Sequence, residues 1–308
     1  MTADRAAFRS VTLPFIIFTA IWGSTWIVIR GQLGEVAPQW SVTYRFAIAA
    51  VAMFLIALVK RDSLRIGRRG LIAAAFLGFT QFCVNFNTVY LAERHITSGV
   101  VATVFALLLI PSTLLGWAFL GQRPSGRFVW SSMVAVAGIA LLFVHELRAH
   151  SASAVQIVAG IGYTLLGMVS ASSANVMQAR SEIRHLPLYS LLAWSMAAGA
   201  LIDAAVAFIF AGPPTIDVRP AYWSGLLYLA LAASVLTFSL YYPVVRKIGP
   251  AKAAYSSVLV PVIAMAFSTA FEGYRWTWIT IAGALLALGG MVGALSRSRS
   301  VVPAPDAA

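Results

Sequence analysis

Side chains that could hold a solute are sparse in this sequence, and they recur at helical spacings. Gln81, Asn85 and Thr88 stand at i, i+4 and i+7, on one face of a helix, with Asn87 and Tyr90 on the adjoining face. Ser172 and Asn175 lie three apart, about two turns beyond Tyr163. Thr237, Ser239, Tyr241 and Tyr242 echo the first cluster, and Tyr255, Ser256 and Ser257 form another. These groups offer hydrogen bonds rather than acid, base or nucleophile chemistry. The four histidines (His95, His145, His150, His185) lack metal-ligand spacing, and Cys83 is the single cysteine. Neither a metal site nor a disulfide framework is expected. No Gly-Lys phosphate-cradling loop occurs, which argues against ATP-driven work. The expectation is a protein without cofactor, metal or enzymatic activity.

The elements that position these residues follow from composition. Of 308 residues, 60% are apolar and 10% charged, with a mean hydropathy of +0.84. A soluble domain needs about 25% charged residues to face water. The net charge of +12 would suggest nucleic acid in a soluble chain, but basic residues also mark the cytoplasmic loops of membrane proteins, and no nucleic-acid partner is expected. Ten segments are long enough to span a ~30 Å hydrocarbon core: 12–29, 40–59, 71–91, 97–120, 127–145, 153–178, 187–211, 221–245, 250–271 and 277–295. They are twice the ~10 residues of a tilted membrane strand, which excludes a barrel. The first follows Arg5 and Arg9 but has no small-residue cleavage site after it, so it reads as a retained span. The last dozen residues read as a disordered tail.

With the N-terminus placed in the cytoplasm, sixteen Lys and Arg fall on that side, five on the other, and Arg45 inside a span. The bias puts both termini in the cytoplasm. The halves also align with each other. Pro111 and Pro261 fall midway along spans 4 and 9, each eleven residues before a helix-ending Gln122 or Glu272. Arg30 pairs with Arg180, and Phe86, Tyr90 and Arg94 recur as Phe238, Tyr242 and Arg246. Five spans is an odd number, so a duplicated unit joined directly must lie the other way up. Loop charges agree: the 2–3 loop has five basic residues and its counterpart only Arg219, whereas the 3–4 loop has Arg94 and its counterpart Arg246, Lys247 and Lys252. The expected fold is all-α integral membrane, ten transmembrane helices as two inverted five-helix repeats, 1–150 and 151–308. Inverted repeats are an architecture of transporters.

At these residues the chain resembles the drug/metabolite transporter superfamily, specifically its ten-helix EamA-type exporters. The resemblance rests on WGSTW in span 1, the Arg45-Phe46 pair, Pro111, Pro261, the helix-ending FEG with Glu272, and Gly-rich spans 5 and 10, and it covers about residues 12–295. Gln122 departs from it, standing where the family usually has Glu. The resemblance implies a central cavity lined by spans 1, 3, 4, 6, 8 and 9, with 5 and 10 peripheral, and amino-acid exporters, aromatic ones included, as the nearest likeness.

Candidate substrate-binding residues are Trp22, Trp26, Gln81, Asn85, Asn87, Tyr90, Asn175, Thr237, Ser239, Tyr242, Tyr255 and Ser256. Packing competes as an account of the tryptophans, and interhelical hydrogen bonding as an account of the hydroxyls. Trp40, Trp130, Trp223, Trp276 and Trp278 stand at span ends, as in aromatic belts. Arg45, about five residues inside span 2, is close enough to the headgroups to snorkel. Asp203 lies in a span the resemblance sets off the cavity. With no carboxylate in span 1, a zwitterion or neutral metabolite fits better than a cationic drug, and proton coupling and facilitated diffusion both stay open. Pro111 and Pro261 are either static kinks or a paired hinge. Gly283, Gly289 and Gly293 form a small-residue packing stripe. The expected function is alternating-access export of an amino-acid-like solute across the inner (plasma) membrane by a lipid-embedded monomer or weak dimer. Nucleosides, sugars and lipophilic drugs are alternative cargoes, and a receptor is the alternative class.

Overall fold

The computed structural model describes residues 11–121, 123–149, 154–248, 253 and 256–295. Ten principal helices run through them: α1 Leu13–Gln32, α2 Pro38–Val59, α3 Gly67–Glu93, α4 Ser98–Leu120, α5 Gly126–Ala149, α6 Ala154–Ala179, α7 Leu188–Ala211, α8 Pro220–Lys247, α9 Ser256–Phe271 and α10 Trp278–Leu295. Seven are long and apolar enough to cross a membrane; α5, α9 and α10 carry the shorter apolar stretches Gly126–Leu141, Leu259–Phe271 and Trp278–Gly290. The chain is thus an all-helical, ten-helix membrane protein.

Local chemistry sets the helix ends. Proline occupies the first turn of α1, α2 and α8, where a missing N–H has no partner to lose. Gly121, at φ 70°, ends α4 in the left-handed helical conformation, and Gly212 ends α7 at φ 77° with an extended ψ; side chains resist both.

Helix contacts pair up across a twofold relation. Helix α2 packs on its counterpart α7, and α5 on α10. The contact of α1 with α9 is matched by α6 with α4, that of α3 with α6 by α8 with α1, and that of α3 with α7 by α8 with α2. A duplicated unit whose halves interlock by exchange produces this pattern, and an odd number of helices per unit makes the halves inverted.

Two irregularities share the same symmetry. Within α3, Gly78–Asn85 is π-helical, and within α8, Tyr228–Leu236 is π-helical. Ser234 occupies the widened turn of α8, its hydroxyl donating to the Leu229 carbonyl five residues back at 2.8 Å. The helical projection that aligned Gln81, Asn85 and Thr88 assumes 3.6 residues per turn and does not survive the π segment. Gln81 and Asn85 share the inner face, while Thr88 turns toward Gly167 of α6.

The α5–α10 contact is a backbone-close seam. A Cβ on Gly138 would stand 2.4 Å from the Ala287 nitrogen, and one on Gly290 2.4 Å from the Ala135 nitrogen. Gly283 and Gly293 face this seam, but Gly289 has open space and the adjacent Gly290 does the packing, a one-residue correction to the expected stripe. Trp40 is a second correction. It is buried, donates to the Gly212 carbonyl at 3.1 Å and stacks on Tyr44, so it fastens a loop rather than facing lipid.

Candidate functional site

A cavity of about 110 Å³ lies in the middle of the bundle, where α1, α3, α4, α6, α8 and α9 converge, with one residue from α2. From the sequence candidates it gathers Trp22, Trp26, Gln81, Asn85, Asn175 and Ser256. To these it adds Phe86, Phe105, Phe238 and Tyr241, so much of the wall is aromatic ring.

Every residue of the WGSTW stretch takes part. Trp22 lines the cavity, donates to the Ala233 carbonyl at 3.3 Å and meets the Tyr241 ring at 4.9 Å. Gly23 lets α9 approach: a Cβ there would stand 2.6 Å from the Ile263 Cβ. The Ser24 hydroxyl pairs with the Tyr228 hydroxyl at 2.6 Å, tying α1 to the π segment of α8. Thr25 lines the wall and bonds back to the Trp22 carbonyl, and Trp26 packs its ring on Phe105 at 5.6 Å.

Five candidates stand behind the wall instead of in it. Asn87 donates to the Asp203 Oδ1 at 2.6 Å and to the Cys83 carbonyl at 3.0 Å, so it faces α7. Thr237 and Ser239 bond to carbonyls four residues back, and the Ser239 hydroxyl also reaches the Met53 sulfur of α2 at 3.8 Å. Tyr90 and Tyr242 are fully buried in the packing around the wall. Tyr255 and Gln122 lie outside the described residues. Pro111 follows a 3₁₀ turn, Ala106–Leu108, whereas Pro261 sits within α9 itself.

Arg45 corrects an expectation. It does not snorkel to the headgroups; it is 1% exposed and lines the cavity. Its Nε donates to the Ser234 hydroxyl at 3.0 Å, and its guanidinium lies 4.3 Å from the Phe86 ring centre and 5.3 Å from that of Phe46. Rings on α2 and α3 hold the cation by their faces and draw it inward. An arginine seven residues past the start of α2, followed by a phenylalanine, was the sequence signal; hydropathy alone cannot say which way such a side chain turns.

One turn beyond Ile29, Val89 and Ala102 of the wall, an ionic cluster caps one end. Arg30 donates to the Glu93 backbone carbonyl and lies 3.8 Å from Glu272, which also accepts from the Ser98 hydroxyl at 2.5 Å. Glu93 is fully buried with neither carboxylate oxygen hydrogen-bonded. Hydropathy ends span 3 at residue 91, two residues short of Glu93, which the helix in fact includes. At the opposite end Arg246 donates to Gln178 Oε1 at 3.1 Å and to the Leu186 carbonyl at 3.2 Å. In the 7–8 loop, hydrogen bonds from Arg219 hold the Asp217 carboxyl below its ordinary range.

Comparison with known proteins bears on the same halves. The model of the EamA-like transporter family matches twice, over residues 10–144 and 158–296. The uncharacterized transporter YoaV of Bacillus subtilis is 25% identical, over 90% of this chain and 93% of that protein. A probable amino-acid metabolite efflux pump of Escherichia coli is 23% identical, over 90% and 91%. The uncharacterized inner membrane transporter YedA of the same species is 28% identical, over 82% and 80%. A protein of known crystal structure superposes with a TM-score of 0.66 at 16% identity, over 92% of this chain and 96% of that one, a likeness of fold.

Proposed function

Because the chain belongs to the EamA-like transporter family, a branch of the drug/metabolite transporter superfamily, we propose that it exports amino acids, neutral and aromatic ones among them, across the inner membrane by alternating access. The observation that carries this reading is the cavity at the seam of the two halves, whose ring-lined wall is broken by the amides of Gln81, Asn85 and Asn175. Rings suit an apolar side chain, and amides suit a polar head. The relatives named as amino-acid metabolite efflux pumps and the inner membrane transporter support the cargo class and the membrane.

Trp22, Trp26, Gln81, Asn85, Asn175 and Ser256 contact the solute in this reading. Asn87, Tyr90, Thr237, Ser239 and Tyr242 hold the helices behind them. Both termini face the cytoplasm, so the Arg30 cluster closes the outer end. Pro111 and Pro261 act as a paired hinge, since each proline weakens its helix at a symmetric depth. Pro111→Ala and Pro261→Ala are expected to slow flux while solute binding persists; unchanged flux in both removes the hinge.

Proteoliposomes challenged with a panel of labelled amino acids test the function. Saturable flux of neutral amino acids is expected. Flux of a nucleoside or sugar instead would change the cargo, and binding without flux of any solute would make the protein a receptor. Orientation has its own test. In a Cys83→Ser background, Arg65→Cys should label only from the cytoplasm and Val218→Cys only from outside; the neighbouring Asp217 is buried and cannot serve.

A further inference from the structure

The geometry points to Arg45 as the anchor for a carboxylate, so that the cavity takes α-amino acids as zwitterions with apolar side chains and rejects cationic analogues. This rests on the reading of the cavity as the solute site.

Arg45 lies seven residues inside α2, about 11 Å from its end, and is fully buried. A guanidinium carries five donors. Nε reaches the Ser234 hydroxyl, the face is covered by Phe86 and Phe46, and the Tyr90 hydroxyl faces it. All of these neighbours are neutral. Nη1 is buried with no hydrogen-bond partner. None of the nearby carboxylates pairs with it: Glu272 lies against Arg30 at the cap, Glu93 is buried there with both oxygens unbonded, and Asp203 accepts from Asn87 behind α3. Among the described residues no acidic side chain lines the cavity. A buried cation without an anion is costly. A planar fork facing a ring-lined cavity is the arrangement that receives a carboxylate by paired hydrogen bonds.

Two further unpartnered atoms belong to residues of the same wall. Trp26 Nε1 is a second buried donor, and Asn85 Oδ1 is a buried acceptor. Two donors and one acceptor complement the carboxylate and ammonium of an amino acid. The rings of Trp22, Phe105, Phe238 and Tyr241 are left for its side chain. A cation lacking the carboxylate would meet Arg45 as a like charge in a water-poor space.

Binding to the purified protein, read as ligand-induced thermal shift, tests this without requiring flux. The probes are phenylalanine, phenylalaninamide, 3-phenylpropionate and phenethylamine. Phenylalanine is expected to bind about tenfold or more tighter than its amide, because the amide leaves a buried donor unpaired. 3-Phenylpropionate should retain part of the affinity, and phenethylamine should bind weakest. Arg45→Gln should erase the difference between acid and amide, and Arg45→Lys should restore part of it. Equal binding of acid and amide to the native protein overturns the assignment, as does no binding of any probe, or an Arg45→Gln variant that loses both by the same factor. If Arg45→Gln does not fold, the acid-to-amide ratio of the native protein decides alone. Discriminating binding without flux would sink the exporter reading and leave this one standing.

Discussion

Helices α3 and α8 hold equivalent places in the two halves, and both pass through a π segment at the same depth, yet they have come to do different work. Helix α3 gives the cavity two of its three amides, Gln81 and Asn85, beside the Phe86 ring, and turns Asn87 outward to Asp203. Helix α8 gives it rings, Phe238 and Tyr241. Where the α3 π segment begins, Gly78 lets α7 approach to backbone contact; 150 residues on, Tyr228 reaches across to Ser24. The ends differ as well. Helix α3 finishes at a buried carboxylate, Glu93, beside Arg30, whereas α8 finishes at Arg246 with an amide and a carbonyl as partners. Duplication conserved the backbone irregularity and let the side chains diverge. The α3 side of the cavity thereby carries amides among its apolar groups, and the α8 side carries rings alone.

The comparison can be broken most severely at Gly78. A Cβ there would stand 2.8 Å from the Gly199 nitrogen and 2.8 Å from the Ser195 carbonyl oxygen, and backbone cannot step aside. Gly78→Val is expected to cost about 3 kcal/mol, seen as a lowered melting temperature in detergent with loss of flux. A change where the α8 π segment begins, Tyr228→Phe, removes one hydrogen bond and should cost about 1 kcal/mol. Equal losses would mean the two π segments are not differently braced.

The helix ends come next. Arg30→Gln leaves Glu93 and Glu272 without their cation and should weaken closure at that end by about 2 kcal/mol, less than a fully buried pair because Arg30 is partly exposed. Arg246→Gln removes hydrogen bonds to two neutral acceptors, leaves no carboxylate unpaired and should shift the balance by about 1.5 kcal/mol. With Val89→Cys as reporter in a Cys83→Ser background, labelling from the Arg30 end should rise in the first variant and stay near the parent rate in the second.

A smaller effect separates the walls. Asn85→Ala or Gln81→Ala should weaken binding of a zwitterion about tenfold, the cost of one lost hydrogen bond to a charged group. Phe238→Leu keeps the wall apolar and should weaken it about threefold. Competition binding with a single amino acid checks the ratio, and the reverse order would deny the division of labour. Smallest of all is Asp203→Asn. The asparagine carbonyl still accepts from Asn87, so flux should stay within about twofold of the parent; abolished flux would bring the outer face of α3 into the mechanism.

The ten spans, the two repeats and the inversion were legible because each rests on summed quantities. Hydropathy adds over some twenty residues, and loop charges add over several loops, so single exceptions do not matter. Trp22, Trp26, Gln81, Asn85 and Asn175 were legible as an interior set because amides and paired tryptophans inside apolar helices stand out. Which of the polar residues reach the cavity was not legible. Asn87 follows Asn85 by two residues and faces another helix, and the π segment between Gly78 and Asn85 changes the turn count on which any facial projection depends.

The sequence by itself determined that this chain lives in a membrane as two five-helix halves, since burial of apolar spans and the placement of basic loops are one-dimensional properties. Only the tertiary structure decided that Arg45 turns inward to the rings of Phe46 and Phe86 and not outward to the lipid headgroups. It likewise brought Glu93 under Arg30, across sixty-three residues of chain. A charged side chain settles wherever its desolvation is best offset, and the groups that offset it arrive from other helices.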